Sequence, residues 1–339
     1  MDKIKITICI PTYNRADYLD QTLQSVANQT IRPFEVLIID NASTDWTAKI
    51  VKKYDKYRFT YIRNKTNIGM ARNYNKCLRT AGGDYCSILP SDDVIAPTWY
   101  EEWSKLIQQV KAPIYTSPMA VISETNEILY LCTIFPTSRL VTQPRVLREF
   151  CRCLTPGVPP NAATLYHRNV YRKVNLFDPA EGSETDVRVV MDMFRNYDVY
   201  FYNKYLYAFR HHLARSFDKV KELKNNDSDL KKITNYFRII GDIYRADFHS
   251  SRESRFFIQT HIFMTLATVN LYLVRFQIRK VVRTYLVMHQ YFPDLFSYQK
   301  DWHQFFRIQL FFLKRALFWK RISKNSRASL EWISSTAPI

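Results

Sequence analysis

An α/β fold, built on a mostly parallel sheet flanked by helices, is what this sequence predicts, and three observations predict it. Short β-branched and aliphatic runs alternate with segments of helical period through the first hundred residues. Their order, β-α-β-α-β-α-β, gives parallel strands joined by crossover helices. The second run, Phe34 to Ile39, is apolar without alternation, as in a strand buried on both faces. Polar clusters follow the first, second and fourth runs, at the carboxyl strand ends where such sheets hold their ligands.

The first strand spans Ile4 to Ile10 and is expected to stop at Pro11, which cannot continue a central ladder. Asp17 to Gln29 places Leu19, Leu23 and Val26 on one helical face. After Phe34–Ile39 comes the polar loop Asp40 to Asp45, with Asp45 placed to cap a helix through Ala48 and Val51. Phe59–Ile62 is a third strand. Asn67-Ile68-Gly69 is a turn, Met70–Thr80 a helix, and Gly82-Gly83 lead to a fourth strand, Tyr85–Leu89. A further helix, Tyr100–Val110, carries Trp103, Leu106, Ile107 and Val110 at apolar positions. Pro156 to Asn161 is a stiff loop, read either as a connector or as a wall of a cleft.

The chain has 339 residues, 47% apolar and 24% charged, which excludes a disordered or low-complexity protein. Its net charge of +18 draws it to polyanions, whether nucleic acid, acidic lipid or phosphorylated substrates. Residues 255–339 hold 13 Lys and Arg against 3 Asp and Glu, among dense Phe, Tyr, Leu and Trp. The six cysteines (Cys9, Cys77, Cys86, Cys132, Cys151, Cys153) show neither zinc spacing nor a small disulfide scaffold, and read as reduced thiols of a cytoplasmic protein. The start, MDKIKITICIPTYNR, lacks the h-region of a secretory signal. The longest apolar stretch, Ile262 to Val274, is shorter than the ~18–20 residues a bilayer span needs.

No GxGxxG and no GxxxxGK[ST] occurs, so neither a Rossmann dinucleotide site nor a P-loop is supported. The three strand-end clusters are instead Thr12-Tyr13-Asn14-Arg15, Asp40 to Asp45 and Ser91-Asp92-Asp93. Singly each reads as turn chemistry. Together they read as a site, and the Asp92-Asp93 pair suits a hard divalent cation that would neutralise a diphosphate.

IPTYNR (10–15), IIDNASTD (38–45), NIGMARNYN (67–75), GGDYCSILPSDD (82–93) and FDP (177–179) resemble family 2 glycosyltransferases of the GT-A (nucleotide-diphospho-sugar transferase) fold, over about residues 4–215. The SDD form after a GDY strand is most similar to the subgroup building bacterial O-antigen and other surface polysaccharides, abequosyltransferase-like enzymes among them. The resemblance implies a nucleotide-sugar donor, Mg²⁺ or Mn²⁺, and inversion at the anomeric carbon. It implies that Pro11, Thr12 and Asn14 flank the nucleotide and that Asp40 hydrogen-bonds the base. Asn41 and Ser43 would line the same pocket, Arg72 would face the nucleotide or its phosphates, and Ser91, Asp92 and Asp93 would hold ribose and metal. Where many members have Asp-x-Asp-Asp, this chain has Pro90-Ser91-Asp92-Asp93. The missing carboxylate implies either a weaker metal site or a lost ribose contact, and leaves the division of roles between Asp92 and Asp93 open.

In the second half, EGSETDVRVVMD (181–192) resembles the segment carrying the family's Glu-Asp motif, with Val189, Met191 and Met193 at its apolar positions. By that register Asp186 is the general base and Glu184 the reserve, Thr185 standing where the family has Glu. Phe209-Arg210-His211-His212 with Ser216 resembles a Tyr-Arg-x-His-x-x-Ser element, which sets His212 near the diphosphate or metal. The expected organisation is a GT-A catalytic domain over 1–220, with a donor half at 1–95 and an acceptor half at 96–220. A helical, basic and aromatic extension follows over 221–339. Phe305, Phe306, Phe311, Phe312, Leu313, Phe318 and Trp319 lie there among Arg307, Lys314, Arg315, Lys320 and Arg321, the mixture of a helix lying on an anionic membrane. The expected enzyme is metal-dependent and moves a hexose or deoxyhexose to a lipid-linked oligosaccharide at the inner face of the cell membrane. Nucleic acid is not an expected partner. Competing classes are a nucleic-acid-binding protein, favoured by charge but lacking a motif, a nucleotidyltransferase releasing pyrophosphate, and a non-catalytic nucleotide-sugar binder.

Overall fold

The computed structural model describes residues 4–132, 135–146, 149, 163–171, 177–180, 185–212 and 330–334. The chain divides into two compact units, the first comprising Met1–Leu147, Gly157–Leu213 and Lys324–Ile339. All described residues except Glu149 belong to that unit. The aromatic-basic stretch of the extension, Ile262–Val274, the loop Pro156–Asn161, Cys151, Cys153, Glu184 and Ser216 lie outside the described residues.

The main sheet has eight strands in the order β3-β2-β1-β4-β10-β6-β11-β9 among the described residues. These are β1 (Ile6–Thr12), β2 (Glu35–Asp40), β3 (Thr60–Arg63), β4 (Tyr85–Ile88), β6 (Ile114–Thr116), β9 (Arg139–Val141), β10 (Thr164–His167) and β11 (Val199–Phe201). β3, β2, β1 and β4 are mutually parallel, as the alternation of runs requires. β10 enters antiparallel between β4 and β6, and β9 closes the far edge antiparallel to β11. A smaller sheet, β5-β12-β7-β8, combines β5 (Val94–Ile95), β7 (Met119–Ile122), β8 (Ile128–Cys132) and β12 (Tyr207–Arg210).

α1 (Ala16–Ala27) buries Leu19, Leu23 and Val26, the face that its spacing predicts. α4 (Trp99–Gln109) buries Trp99, Tyr100, Trp103, Leu106 and Ile107. Both faces join Ile6, Ile8, Ile10, Val36 and Ile38 of the central strands in one core. Three further helices are α2 (Thr47–Lys52), α3 (Met70–Thr80) and α5 (Arg168–Tyr171). α6 (Thr185–Asn196) follows, burying Val189, Val190, Met191, Met193 and Phe194.

Pro11 does not stop the first strand. β1 runs on to Thr12, pairing Pro11 with Ile39 and Thr12 with Asp40. Successive residues of a strand address opposite neighbours. Cys9 O accepts from Leu89 on the β4 side and Thr12 O from Asn41 on the β2 side. The missing N–H of Pro11 therefore faces β4, whose pairing with β1 has ended at Cys9 and Ile88. A proline there sacrifices no ladder bond.

The first unit also takes in Lys324–Ile339, late in the chain. α7 (Glu331–Ser334) and the preceding Leu330 lie against the small sheet. Leu330 and Ile333 are each 1% exposed and pack with Val94, Ala120, Ile122 and Ala208. That sheet presents an apolar face, and the returning segment covers it.

Candidate active site

Strand register assembles the site. Thr12, Asp40 and Arg63 are partners across β1, β2 and β3, so three chain turns leave the sheet side by side at its carboxyl edge. The fourth turn, after β4, begins at Pro90, whose carbonyl accepts the Asp93 N–H at 3.2 Å. The small sheet then joins residues distant in sequence. Ala208 pairs with Val94 and Tyr207 with Ile95, and continuing that antiparallel register brings Arg210 beside Asp92 and Asp93.

The loops after β1 and β2 hold each other. Asn14 N–H donates to Ser43 Oγ at 3.0 Å, and Thr44 N–H to Asn14 Oδ1 at 2.8 Å. Asp45 Oδ1 accepts from Thr47 N–H at 3.0 Å and its Oδ2 from Ala16 N–H at 3.0 Å. It thus serves the first amides of both α1 and α2, two residues ahead of the latter rather than as its immediate cap. Burial would raise the Asp45 carboxyl, but the hydrogen bonds from Thr47 and Ala16 outweigh it and hold the group below its usual range. Asn14 and Ala42 adopt left-handed backbone, φ 49° and 65°. For alanine that conformation is strained, and strain persists where neighbours over-determine a loop.

Asp40 is sealed. Its Oδ1 accepts Ser43 N–H at 2.9 Å, and its Oδ2 meets Tyr61 Oη at 2.6 Å and Arg63 Nε at 3.4 Å, with the side chain 0% exposed. Asn41 is likewise engaged: its Oδ1 accepts from Asn64 Nδ2 and Ile68 N–H, each at 2.9 Å, and its Nδ2 donates to Asn67 Oδ1 at 2.7 Å. Asn64 and Asn73 continue this amide ladder to the Ile39 carbonyl and so fix α3 to the sheet edge. Asp40 and Asn41 thus hold together the loops at the ends of β2 and β3. Thr12 Oγ1, by contrast, is buried with no hydrogen-bond partner among the described residues. Pro11, Ser43 and Ser91 are buried too, Asn14 is exposed, and Arg72 stands exposed on the first turn of α3, its Nη1 3.5 Å from Ile68 O.

Asp92 and Asp93 differ sharply. Asp93 is 1% exposed; its Oδ2 accepts from the Tyr207 hydroxyl and its Oδ1 from Arg210 N–H at 2.8 Å. Burial, then the neighbouring Asp92 charge, pushes its carboxyl well above the usual range. Both Asp93 oxygens are thus engaged inside the protein, whereas Asp92 is the more open of the pair. Asp92 keeps 19% of its side chain exposed and meets His212 Nε2 at 3.0 Å and Arg15 Nε at 3.5 Å. His212 Nδ1 lies 3.5 Å from Glu124 Oε1, and Tyr18 stands edge-on to the imidazole at 4.7 Å.

Arg210, without an assigned role in the sequence reading, is 1% exposed and organises the turn. Its Nε donates to Asp92 O at 2.7 Å, Nη1 to Asn126 Oδ1 at 2.6 Å and Ser123 O at 3.1 Å, and Nη2 to Gln21 Oε1 at 2.9 Å. The sequence places it in the element that carries His212, and its buried hydrogen-bonding role comes from the pairing of the small sheet.

Asp186 is exposed on the first turn of α6. Burial raises the pKa of the Tyr74 phenol on α3, and the charges of Asp92, Asp186 and Asp93 raise it further. One ring thus feels the Asp92 turn and Asp186 together. No group of three or more His, Cys, Asp or Glu forms a metal cage among the described residues. Asp92 and His212 are a carboxylate and an imidazole that could face a divalent ion, the carboxylate being the ligand type that Mg²⁺ and Mn²⁺ favour.

The family model described as Glycosyl transferase family 2 matches residues 7–174. Over 96 residues the chain is 44% identical to Abequosyltransferase RfbV of Salmonella typhimurium, covering 27% of this chain and 29% of that one. It is 26% identical over 178 residues to an uncharacterized glycosyltransferase of Haemophilus influenzae, covering 50% of this chain and 54% of that one. The chain thus matches about half or less of these curated relatives' lengths. Among solved structures it is similar to S. aureus TarS 1-349 in complex with UDP-GlcNAc, with TM-score 0.56, 18% identity, and coverage of 85% of this chain and 91% of that one.

Proposed function

Residues 7–174 of this chain are a family 2 glycosyl transferase domain on a GT-A fold, and from that premise we propose that the protein is an inverting, metal-dependent glycosyltransferase. It moves a hexose or deoxyhexose from a nucleotide-sugar donor to a hydroxyl of a lipid-linked oligosaccharide. The product belongs to O-antigen or another bacterial surface polysaccharide, and the enzyme works at the cytoplasmic face of the membrane. The observation that carries the reading is the convergence, at one sheet edge, of the Thr12–Asn14 and Asp40–Asp45 loops with the Asp92–His212–Arg15 cluster.

The nucleoside lies over the loops after β1 and β2, with the buried Thr12 hydroxyl and exposed Asn14 nearest. The diphosphate points to Asp92, His212 and Arg15. Asp92 and His212 would hold the divalent ion, which when bound offsets charge growing on the leaving diphosphate. Asp93, Tyr207 and Arg210 keep the Asp92 turn in place. Asp186 accepts the proton of the acceptor hydroxyl as that oxygen bonds to the anomeric carbon. The bond from that carbon to the diphosphate oxygen breaks on the opposite face, the nucleoside diphosphate leaves, and configuration inverts. Arg15 supplies fixed positive charge where negative charge accumulates.

The test is a panel of UDP-, GDP-, CDP- and dTDP-sugars with Mg²⁺ or Mn²⁺, read as nucleotide release and thermal shift. One nucleotide class should stabilise the protein, and Asp92→Asn should abolish that stabilisation. Asp186→Asn should keep it while turnover falls about 10²–10⁴-fold, the range for losing a general base. Undiminished turnover in Asp186→Asn would remove the base assignment. No response to any donor, with a lipid-linked acceptor also supplied, would remove the transferase reading.

A further inference from the structure

Asp186 is exposed, yet its neighbour Thr185 is 0% exposed and begins α6. Its inward hydroxyl oxygen accepts the Asp178 N–H at 2.7 Å. One residue earlier, the Phe177 carbonyl accepts Asn75 Nδ2 at 2.7 Å. The Phe177 ring, 2% exposed, stands edge-on to Tyr74 at 5.2 Å. Two hydrogen bonds and an aromatic contact therefore run from α3, through Phe177 and Asp178, to the first residue of α6. α3 is itself fixed to the sheet edge by Asn73 Nδ2, which donates to Ile39 O at 3.0 Å.

Asn75 also carries an unbalanced feature. Its Oδ1 is buried with no hydrogen-bond partner among the described residues. An unsatisfied buried acceptor is destabilising, so the amide stands there for the bond its Nδ2 makes.

We propose that Thr185 and Asn75 are positioning residues that clamp α6 to α3 and so aim Asp186 at the sheet edge occupied by Asp92. This rests on Asp186 being the general base. A base acts only within hydrogen-bond reach of its proton, and about 1 Å of misplacement costs about 10²-fold in rate. Asp186 is exposed, so its aim depends on how the start of α6 is anchored. Thr185 supplies that anchor where the resembled family has Glu.

Two readouts on the full chain test the clamp. The first is amide hydrogen exchange, which needs no ligand. Thr185→Val should speed exchange of the Asp178 amide and the first turn of α6 at least about tenfold, leaving residues 38–45 unchanged. The second is steady-state turnover with the donor that the panel identifies. Thr185→Val should lower kcat about 10- to 100-fold with the donor KM unchanged, and Thr185→Ser should restore most of it. Asn75→Asp, which removes the Nδ2 donor, should repeat the split and serves where Thr185→Val fails to fold. Unchanged exchange, or a kcat within twofold of the parent in a folded variant, overturns the clamp. If Asp186→Asn keeps full turnover, the base reading has failed, and the exchange experiment still decides whether the clamp exists.

Discussion

His167 ends β10 with its ring edge-on to Tyr85 at 4.9 Å and its Nδ1 accepting the Asn169 N–H at 3.2 Å. Burial lowers its pKa below the ordinary 6.5, and the opposing charge of Asp84 does not restore it. The native imidazole thus refuses a proton that the unfolded chain accepts. A depressed folded pKa gives stability that is whole above the unfolded value and is lost as pH falls from there through the folded value. The thermal midpoint should decline between pH 7.5 and 5.5. His167→Asn, whose side-chain oxygen can accept in place of Nδ1, should flatten that decline, as thermal melts across pH would measure. Arg210 makes a larger residue-scale prediction. It is a buried guanidinium with carbonyl and amide oxygens around it. Arg210→Met leaves those acceptors without donors, each stranded buried group costing about 1–3 kcal/mol, and should lower stability clearly, measured by urea unfolding. Individual roles were the least legible level of the sequence. The sequence singles out Asp92 by its place after a strand and His212 by its resemblance to a family element, and the structure sets the two side chains 3.0 Å apart. The internal hydrogen bonds of Asp40, Asn41 and Asp93 are not legible in the sequence, because their partners are fixed by strand register and loop geometry.

Elements were far more legible, and their misreadings have specific causes. Met70–Thr80 emerges with the bounds its turn and glycine signals predict, since Gly69 at φ 84° starts the helix where only glycine is at ease. In the sequence Pro11 reads as a terminator of β1, whereas its effect depends on which neighbour its missing N–H would have faced. The small sheet was invisible, because β5 has two residues and its partner β12 lies over a hundred positions away. Yet that sheet carries the Asp92 turn and His212, so its cover matters to the site. Leu330 and Ile333 bury their side chains on it from the far end of the chain. Truncating a buried Leu or Ile to Ala typically costs about 2–5 kcal/mol. Leu330→Ala combined with Ile333→Ala should therefore lower the thermal midpoint clearly. If the small sheet transmits the damage, the double variant should also weaken the nucleotide-induced thermal shift. A lowered midpoint with an undiminished shift would separate the cover from the site.

At the scale of the whole molecule the charge is lopsided. Residues 255–339 carry 13 Lys and Arg against 3 Asp and Glu, while the chain as a whole is +18. No helix among the described residues is long and apolar enough to cross a membrane. The proposed lipid-linked acceptor would nevertheless place the protein at a lipid surface. Basic residues near anionic lipid contribute about 1 kcal/mol each, and interfacial aromatics add apolar burial. Such attraction is screened over about 8 Å at physiological salt, so it should be strong at low ionic strength and weak at high. The full chain should co-sediment with vesicles containing phosphatidylglycerol, ignore pure phosphatidylcholine vesicles, and release as sodium chloride rises. Reversing Lys314, Arg315, Lys320 and Arg321 to Glu should abolish co-sedimentation while leaving the nucleotide-induced thermal shift intact. Binding that duplex DNA displaces completely at equal phosphate concentration would mark the surface as a general polyanion site. Binding that survives both salt and charge reversal would move the contact from head groups to the aromatic side chains.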